Sequence, residues 1–414
     1  MKKSLLWILS IVLMLIFCGC NSFSAEREQD FYIPEKEPPS VSEPALPEDE
    51  NEDPPEEVIS EATLLAVGDN LIHDVIYYQA GKRADDGSYD FLPVYEDVRE
   101  LISAADIAYI NQETPMAGSM KPSSYPMFNT PAEMAENLSE LGFDVINLAN
   151  NHMLDKGTEG LSETAELLRK TEGISAVIGA NFGSEGYGEP AVVEKNGIKF
   201  GFVGFTQHTN GLRLPKGREN MIVYTDNTEE MRRLIQKLKA SADVAVVSVH
   251  WGDEGSNVPN TYQIELAQQF ADWGVDIVIG THPHVIQPVE YVQGENGGET
   301  LVFYSLGNFV SAQIEPANLI GAVAQITVTK NQTTGEINIS APKLDFVITQ
   351  YGYGFADLHL VMLENYSGEL AKQHGVVLKY GKEFGPEYIQ NFIEETVDSR
   401  FFVSGTKIKS RFAG

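Results

Sequence analysis

Five apolar runs in this sequence stop abruptly at residues able to bind a metal or move a proton. Asp69 follows LLAVG, Glu113 follows IAYINQ, and Asn150, Asn151 and His152 follow VINLA. His250 follows VVSV, and His282 and His284 follow VDIVIGT. Each residue alone has an ordinary explanation: Asp69 could cap a helix and a single His could be a satisfied core residue. Acid or imidazole at five separate run ends is hard to obtain from packing and points to one metal or catalytic site. Carboxylate and imidazole donors without thiolate suit Mn²⁺, Fe or Zn²⁺, and a bridging carboxylate such as Glu113 would hold two ions that activate a water and polarise an electrophile. Pro283 disfavours helical backbone at His282, so the segment is expected to stay extended and aim both imidazoles into a crevice.

The runs that must position these residues read as strands covered on both faces: 62–67, 107–110, 145–149, 200–205, 244–249 and 275–279. Between them Leu161, Ala165 and Leu168, and then Tyr262, Leu266, Phe270 and Trp273, recur at helical spacing. Alternating strand and helix predicts an α/β architecture with a largely parallel sheet. Such sheets bind ligands outside the carboxyl ends of their strands, which would bring the run-end residues together. Later segments suggest hairpins: a turn at Asn296-Gly297-Gly298 before 301–304, then 322–329 and 337–348, predicting a second sheet of antiparallel character. The pattern after Tyr351 supports no assignment, so 351–414 is set apart as a C-terminal extension.

The 414 residues carry 29 Lys and Arg against 60 Asp and Glu, a net charge of −31, with 43% hydrophobic residues. That composition supports a packed core, and the acid excess disfavours nucleic-acid binding. Cys18 and Cys20 are the only cysteines, so the rest of the chain has no internal disulfide or zinc-thiolate site. Lys2 and Lys3 precede a run from Leu5 to Phe17 broken only by Ser10, the layout of a secretory signal. Its ending, Leu15-Ile16-Phe17-Cys18-Gly19-Cys20, resembles a bacterial lipobox and predicts lipidation at Cys20, with residues 1–20 as signal peptide. An uncleaved anchor helix is the alternative; both place the protein outside the cytoplasm, held to the cell membrane. Residues 26–61 contain fourteen acids, two bases and seven prolines, so 21–61 is expected to be a disordered acidic tether. Removing that segment's −12 and the two N-terminal lysines leaves −21 for residues 62–414.

The strings AVGDNLIH (66–73), NQE (111–113), NLANNH (147–152), HWG (250–252), GTHPHVIQPVE (280–290) and YSLGNFV (304–310) resemble, in order, the motifs of the bacterial CapA family of poly-γ-glutamate capsule synthesis proteins. That family is similar to calcineurin-like metallophosphoesterases. The resemblance covers roughly residues 62–350 and implies a four-layer αββα sandwich. It also implies metal ligands at Asp69, Glu113, Asn151, His250, His282 and His284, and a general acid at His152. His73, Asn150, Trp251 and Asn308 would contact substrate. Ser305 and Asn308 would line the site or shape its turn, Trp251 would stack on a ligand or pack, and His208 has equal claim to pocket and scaffold. His359 and His374 are expected to be structural. Leu71 stands where the phosphoesterase pattern has His, Glu113 where it has Asp, and Gln112 where Leu is common in the family, which implies that one metal position is weakened or lost. The implied function is a membrane-anchored hydrolase with one or two divalent ions, cleaving a phosphoester or a γ-glutamyl amide in capsule or cell-envelope polymer synthesis. Two rivals stand beside it: a subunit that binds or exports the anionic polymer without turnover, and a scaffold for a membrane-bound poly-γ-glutamate synthase. A polyanion would be repelled by a folded part of net −21, which favours a metal-filled or locally basic pocket.

Overall fold

The computed structural model describes residues 57–403, apart from 85, 184–187 and 296. Cys18, Cys20, the signal-like run, Asn296 of the expected turn and nearly all of the acidic tether lie outside the described residues. The described residues all belong to one compact unit, Glu56–Gly414. Among the described residues, no helix is long and apolar enough to cross a membrane.

The chain runs through β1 (Ile59–Asn70), α1 (Asp74–Arg83), α2 (Arg99–Ser103), β2 (Ile107–Gln112), α3 (Met134–Leu141), β3 (Val145–Asn147), α4 (Gly157–Lys170) and β4 (Ala176–Ile178). Next come β5 (Ala191–Lys195), β6 (Ile198–Thr206), α5 (Thr228–Ser241), β7 (Val244–His250), α6 (Thr261–Asp272), β8 (Ile277–Thr281), β9 (Val289–Gln293) and β10 (Glu299–Phe303). Strands β11 (Asn308–Val310), β12 (Ile320–Asn331), β13 (Ile337–Ile339), β14 (Lys343–Gln350) and β15 (His359–Met362) precede α7 (Gly368–Gln373), α8 (Gly375–Tyr380) and α9 (Pro386–Thr396).

Two sheets result. The first has the order β15-β14-β12-β1-β2-β3-β4, with β11 on the end of β1 and β13 on β12; the second has the order β5-β6-β7-β8-β10-β9. In the first sheet β1 to β4 are parallel, while β12, β14 and β15 are antiparallel. In the second, β6, β7, β8 and β10 are parallel, and β5 and β9 flank them antiparallel. Every second residue of the second sheet's strands shows why the layers form. Phe200, Phe202, Val244, Val246, Ile277 and Ile279 enter the core shared with the first sheet. Val203, Phe205, Ala245, Val247 and Val249, of opposite parity, pack with Met231, Leu234 and Leu238 of α5 and Leu266 and Phe270 of α6. With α3 and α4 burying Leu138, Leu141, Leu161, Ala165 and Leu168 against the first sheet, the layers are helix, sheet, sheet, helix.

Three expectations change. The late strands do not make a sheet of their own: β10 joins the second sheet parallel to β8, and β12 to β15 extend the first. The run 337–348 is two strands, broken at Ser340-Ala341-Pro342, where Pro342 has no N–H to give a ladder. Position 350 is not a boundary, because β15 completes the first sheet and Leu360, Tyr366, Val376, Ile389 and Ile393 fill the same core. His374 is fully buried there; its Nδ1 accepts the Val376 N–H at 3.0 Å and its Nε2 donates to Thr349 O at 2.9 Å.

Two glycines let the sheets share one strip of backbone. A Cβ on Gly68 would lie 1.9 Å from Gly307 O, and one on Gly280 would lie 2.1 Å from Tyr304 O. Gly68→Ala is therefore expected to destabilise the protein by about 1–3 kcal/mol through overpacking against backbone that cannot yield. Gly118→Ala, whose Cβ would meet Ala132 Cβ at an ordinary 3.6 Å, should be near neutral. Urea-unfolding midpoints of the two variants beside wild type check this, and equal midpoints would refute the close approach.

Candidate metal centre

The ends of β1, β2, β7 and β8, with the turn after β3, deliver the expected ligand residues to one crevice. Asp69, Glu113 and Asn151 come from the first sheet and His250, His282 and His284 from the second, and all six are buried. Two overlapping groups are close enough to share a cation: Glu113, His250 and His282, and Asp69, Glu113 and His284. Glu113 belongs to both. Its Oε1 lies 3.7 Å from His250 Nε2 and 3.7 Å from His284 Nε2. His250 Nε2 also lies 3.0 Å from Asn151 Oδ1 and 3.1 Å from His282 Nδ1.

A ring of supporting bonds aims these groups. Asn111 Nδ2 donates to Asp69 Oδ1 at 2.7 Å, and Asn147 Nδ2 donates to Asn111 Oδ1 at 2.9 Å. His282 N–H reaches Asp69 Oδ2 at 3.2 Å. Thr281 Oγ1 lies 2.9 Å from His250 Nδ1, and Asn308 Oδ1 lies 3.0 Å from His284 Nδ1. Fixing one imidazole nitrogen in this way orients the other toward the cluster. The backbone around Pro283 is not extended as expected. His282 has φ 98° and His284 φ 60°, a left-handed conformation that side chains other than glycine seldom adopt. The hydrogen bond from His282 to Asp69 helps hold that geometry against its cost.

Electrostatics sharpen the picture. Burial pushes the Glu113 carboxyl well above the usual carboxylate range, with His284 opposing and Asp69 adding to the shift. Burial drives His250 and His282 well below the usual imidazole range, and their imidazole neighbours add to it. Burial also opposes charge on His284, yet the Glu113 and Asp69 carboxylates outweigh it and push the ring up to about 10. Neither oxygen of Glu113 has a hydrogen-bond partner among the described residues. A buried carboxylate is costly unless paired, so two unpartnered oxygens between oriented imidazoles and a second carboxylate fit a divalent cation.

His152 sits at the crevice wall, 6% exposed. Its Nδ1 lies 2.8 Å from Asp155 Oδ2, which accepts the Nδ1 proton and leaves Nε2 as the free nitrogen. Phe128 packs edge-on against His152 at 4.7 Å and against His73 at 5.3 Å. His73 is half-buried at the rim, and burial lowers its pKa to about 4. His208 is brought to the cluster, its ring 5.1 Å from that of His282.

Other expected contacts fall elsewhere. Trp251 is fully buried in the core under α6, with Nε1 donating to Tyr304 O at 2.9 Å, so it packs and does not stack on a ligand. Its neighbour His250 faces the site because successive strand residues point to opposite faces. Asn308 spends its amide on Ser311, Gln313 and Asn318 and its oxygen on His284, and thus orients a ligand residue rather than meeting substrate. Asn150 is likewise turned inward, donating to Gln112 O at 2.9 Å and accepting the His152 N–H at 3.1 Å. Ser305 Oγ accepts the Gly307 N–H at 3.1 Å and shapes the turn. Sequence reasoning missed Asn111, Thr281 and Asp155. The signals were present: Asn111 is an amide inside an apolar run, and Asp155 stands three residues after His152.

Residues 63–313 match the family described as "Bacterial capsule synthesis protein PGA_cap". The PGA biosynthesis protein CapA of Bacillus subtilis (strain 168) is 31% identical over 244 residues, covering 58% of this chain and 62% of that protein. The capsule biosynthesis protein CapA of Bacillus anthracis is 33% identical over 207 residues, covering 49% and 48%. The chain thus spans roughly half to three fifths of the length of these curated relatives. A solved structure of a phosphatase from Mycoplasma pneumoniae aligns over 70% of this chain and 95% of its own, with TM-score 0.44 and 14% identity. The family match covers more than half of the sequence and takes in every run-end residue of the crevice, and on that ground the chain belongs to the bacterial capsule synthesis protein family PGA_cap.

Proposed function

We propose that this chain is an extracytoplasmic, membrane-anchored protein acting in poly-γ-glutamate capsule or related cell-envelope polymer biosynthesis, through a metal-dependent site that hydrolyses a phosphoester or a γ-glutamyl amide. The family and the names of the two CapA relatives support the biosynthetic setting. The observation that carries the hydrolytic reading is Glu113, buried with both oxygens unpartnered between His250, His282, His284 and Asp69. Asp69, Glu113, Asn151, His250, His282 and His284 would hold one or two divalent ions, with Mn, Fe or Zn suited to this donor set. An ion bound there would supply a more acidic water and a polarised electrophile.

The chain's own residues do the rest. Asp155 fixes the His152 tautomer through Nδ1, so His152 in its charged form can give the Nε2 proton to the leaving atom and remain a neutral ring. Both side chains are buried. A partner synthase in the membrane and an anionic polymer or phosphoester substrate complete the proposal; no nucleic acid is involved.

Glu113→Gln should lose bound metal by elemental analysis of the folded protein. Added metal should raise the urea midpoint of wild type and leave that of the variant unchanged. Equal metal in both proteins would sink the site assignment.

His152→Ala should lower turnover by about 10²–10⁴-fold in a screen of phosphoester and γ-glutamyl peptide substrates, and Asp155→Asn by less, with metal content unchanged in both. Unaltered rates in His152→Ala would remove that residue from the reaction.

For localisation, Cys20→Ala should abolish lipid labelling and release the protein from membrane to medium. Full membrane retention of the variant would favour an uncleaved anchor.

A further inference from the structure

The loop after β6 brings to the crevice one imidazole that neither the ligand groups nor the proton transfer employs. His208 stands two residues past the end of β6 and is half-buried. Its ring meets that of His282 edge-on at 5.1 Å, and it lies within electrostatic reach of His152 and His250. Crevice residues from both sheets therefore flank it. A half-buried histidine beside a site is often scaffold. The hydrogen bonds of this one point to a different use.

The Asn210 N–H donates to His208 Nδ1 at 3.4 Å, so the ring is neutral and carries its proton on Nε2. With the Nδ1 lone pair engaged and Nε2 protonated, the ring offers nothing to a cation, and His208 belongs to neither of the two ligand groups. Its Nε2–H has no hydrogen-bond partner among the described residues. The segment itself is firmly held. The Gln207 N–H donates to His250 O and Gln207 Oε1 accepts the Gly252 N–H, each at 2.9 Å, which ties the loop to the end of β7. Thr206 Oγ1 donates to His208 O at 3.0 Å, and Thr209 Oγ1 donates to Leu212 O at 2.7 Å. Asn210 is left-handed at φ 50°, and its Nδ2 lies 3.5 Å from His152 Nδ1. The loop thus runs from the second sheet to the turn that carries His152.

A cation in this crevice draws oxyanions, and the oxygens that it does not take up need donors of their own. His250, His282 and His284 are occupied in the ligand groups, and His152 is assigned to the leaving atom. That leaves His208, a donor whose backbone is already fixed and which loses little freedom on binding. We propose that His208 is a substrate-binding residue whose Nε2–H donates to an oxygen of the oxyanion that the crevice takes, whether phosphate or the carboxylate freed from a γ-glutamyl amide. The assignment rests on the hydrolytic reading of the same crevice and names the residue that recognises the reacting group.

Isothermal titration of the full-length Mn²⁺-loaded protein tests this with inorganic phosphate and L-glutamate as probes, since hydrolysis consumes neither. His208→Asn keeps an acceptor for the Asn210 N–H but has no donor at the Nε2 position. It should weaken binding of a probe by about tenfold or more, the scale of one hydrogen bond to a charged group, with metal content unchanged. His208→Gln, whose amide places an N–H near the Nε2 position, should bind close to wild type. A loss for phosphate identifies a phosphoryl group as the oxyanion, and a loss for glutamate identifies a carboxyl group. Equal affinities of wild type and His208→Asn for both probes, an equal loss in His208→Asn and His208→Gln, loss of metal from His208→Asn, or no binding of either probe to metal-loaded wild type would overturn the assignment. The hydrolytic reading is decided separately, by the metal content of Glu113→Gln and by cleavage in the substrate screen.

Discussion

The constraint on which this structure turns is a carboxylate with nowhere to go. Glu113 is buried with neither oxygen hydrogen-bonded, and its nearest polar neighbours are imidazoles and a second carboxylate. Folding tolerates that only if something positive is held there or the group gives up its charge. The surrounding order is compatible with the first option. His250 and His282 are kept neutral by burial, as metal ligation would require, and each has its geometry set by a backbone or side-chain neighbour. The chain of amides from Asn147 through Asn111 to Asp69 has no role in burying apolar surface; its role is to hold one carboxylate still.

What the sequence made legible, and what it concealed, divide along physical lines. Apolar runs that stop at a polar residue are visible because a strand covered on both faces has no other use for Asp, Glu or His, and Asp69, Glu113 and His250 were found that way. Orientation within the run is subtler. His250 and Trp251 are adjacent, yet the pleat sends one into the crevice and the other into the core, and only parity against the neighbouring strands decides which. At His282 the steric preference before proline pointed to extended backbone, and the observed φ of 98° shows long-range hydrogen bonding prevailing over a local rule. Sheet membership of the late strands was concealed for a similar reason. β12 pairs with β1 across more than two hundred residues, and no short pattern encodes that choice of partner.

The region after 350 had no readable period because its pieces are short: among the described residues, three α-helices of six to eleven residues, three single 3-10 turns and one edge strand. Their side chains are nonetheless integral to the core, Val376, Ile389 and Ile393 among them. The family match ends at residue 313, within the connection from β11 to β12. The family-matched segment and the mechanical unit that supports it therefore have different limits along the chain.

The strip from Tyr304 to Asn308 deserves a last physical reading. It leaves the second sheet at Phe303 and joins the first at Asn308, lying against Gly68 on one side and Gly280 on the other. The two halves of the sandwich are thus stitched together at the crevice end by backbone, beside the side-chain bonds that cross there. Thermal breathing of the sandwich must then be wedge-shaped, opening from the edges remote from this seam and damping out toward it. Amide hydrogens at Asp69 and Leu306, which bond to Gly307 O and Gly280 O, would be among the last in the domain to exchange with solvent. The crevice would be the quietest part of a structure whose rims still move.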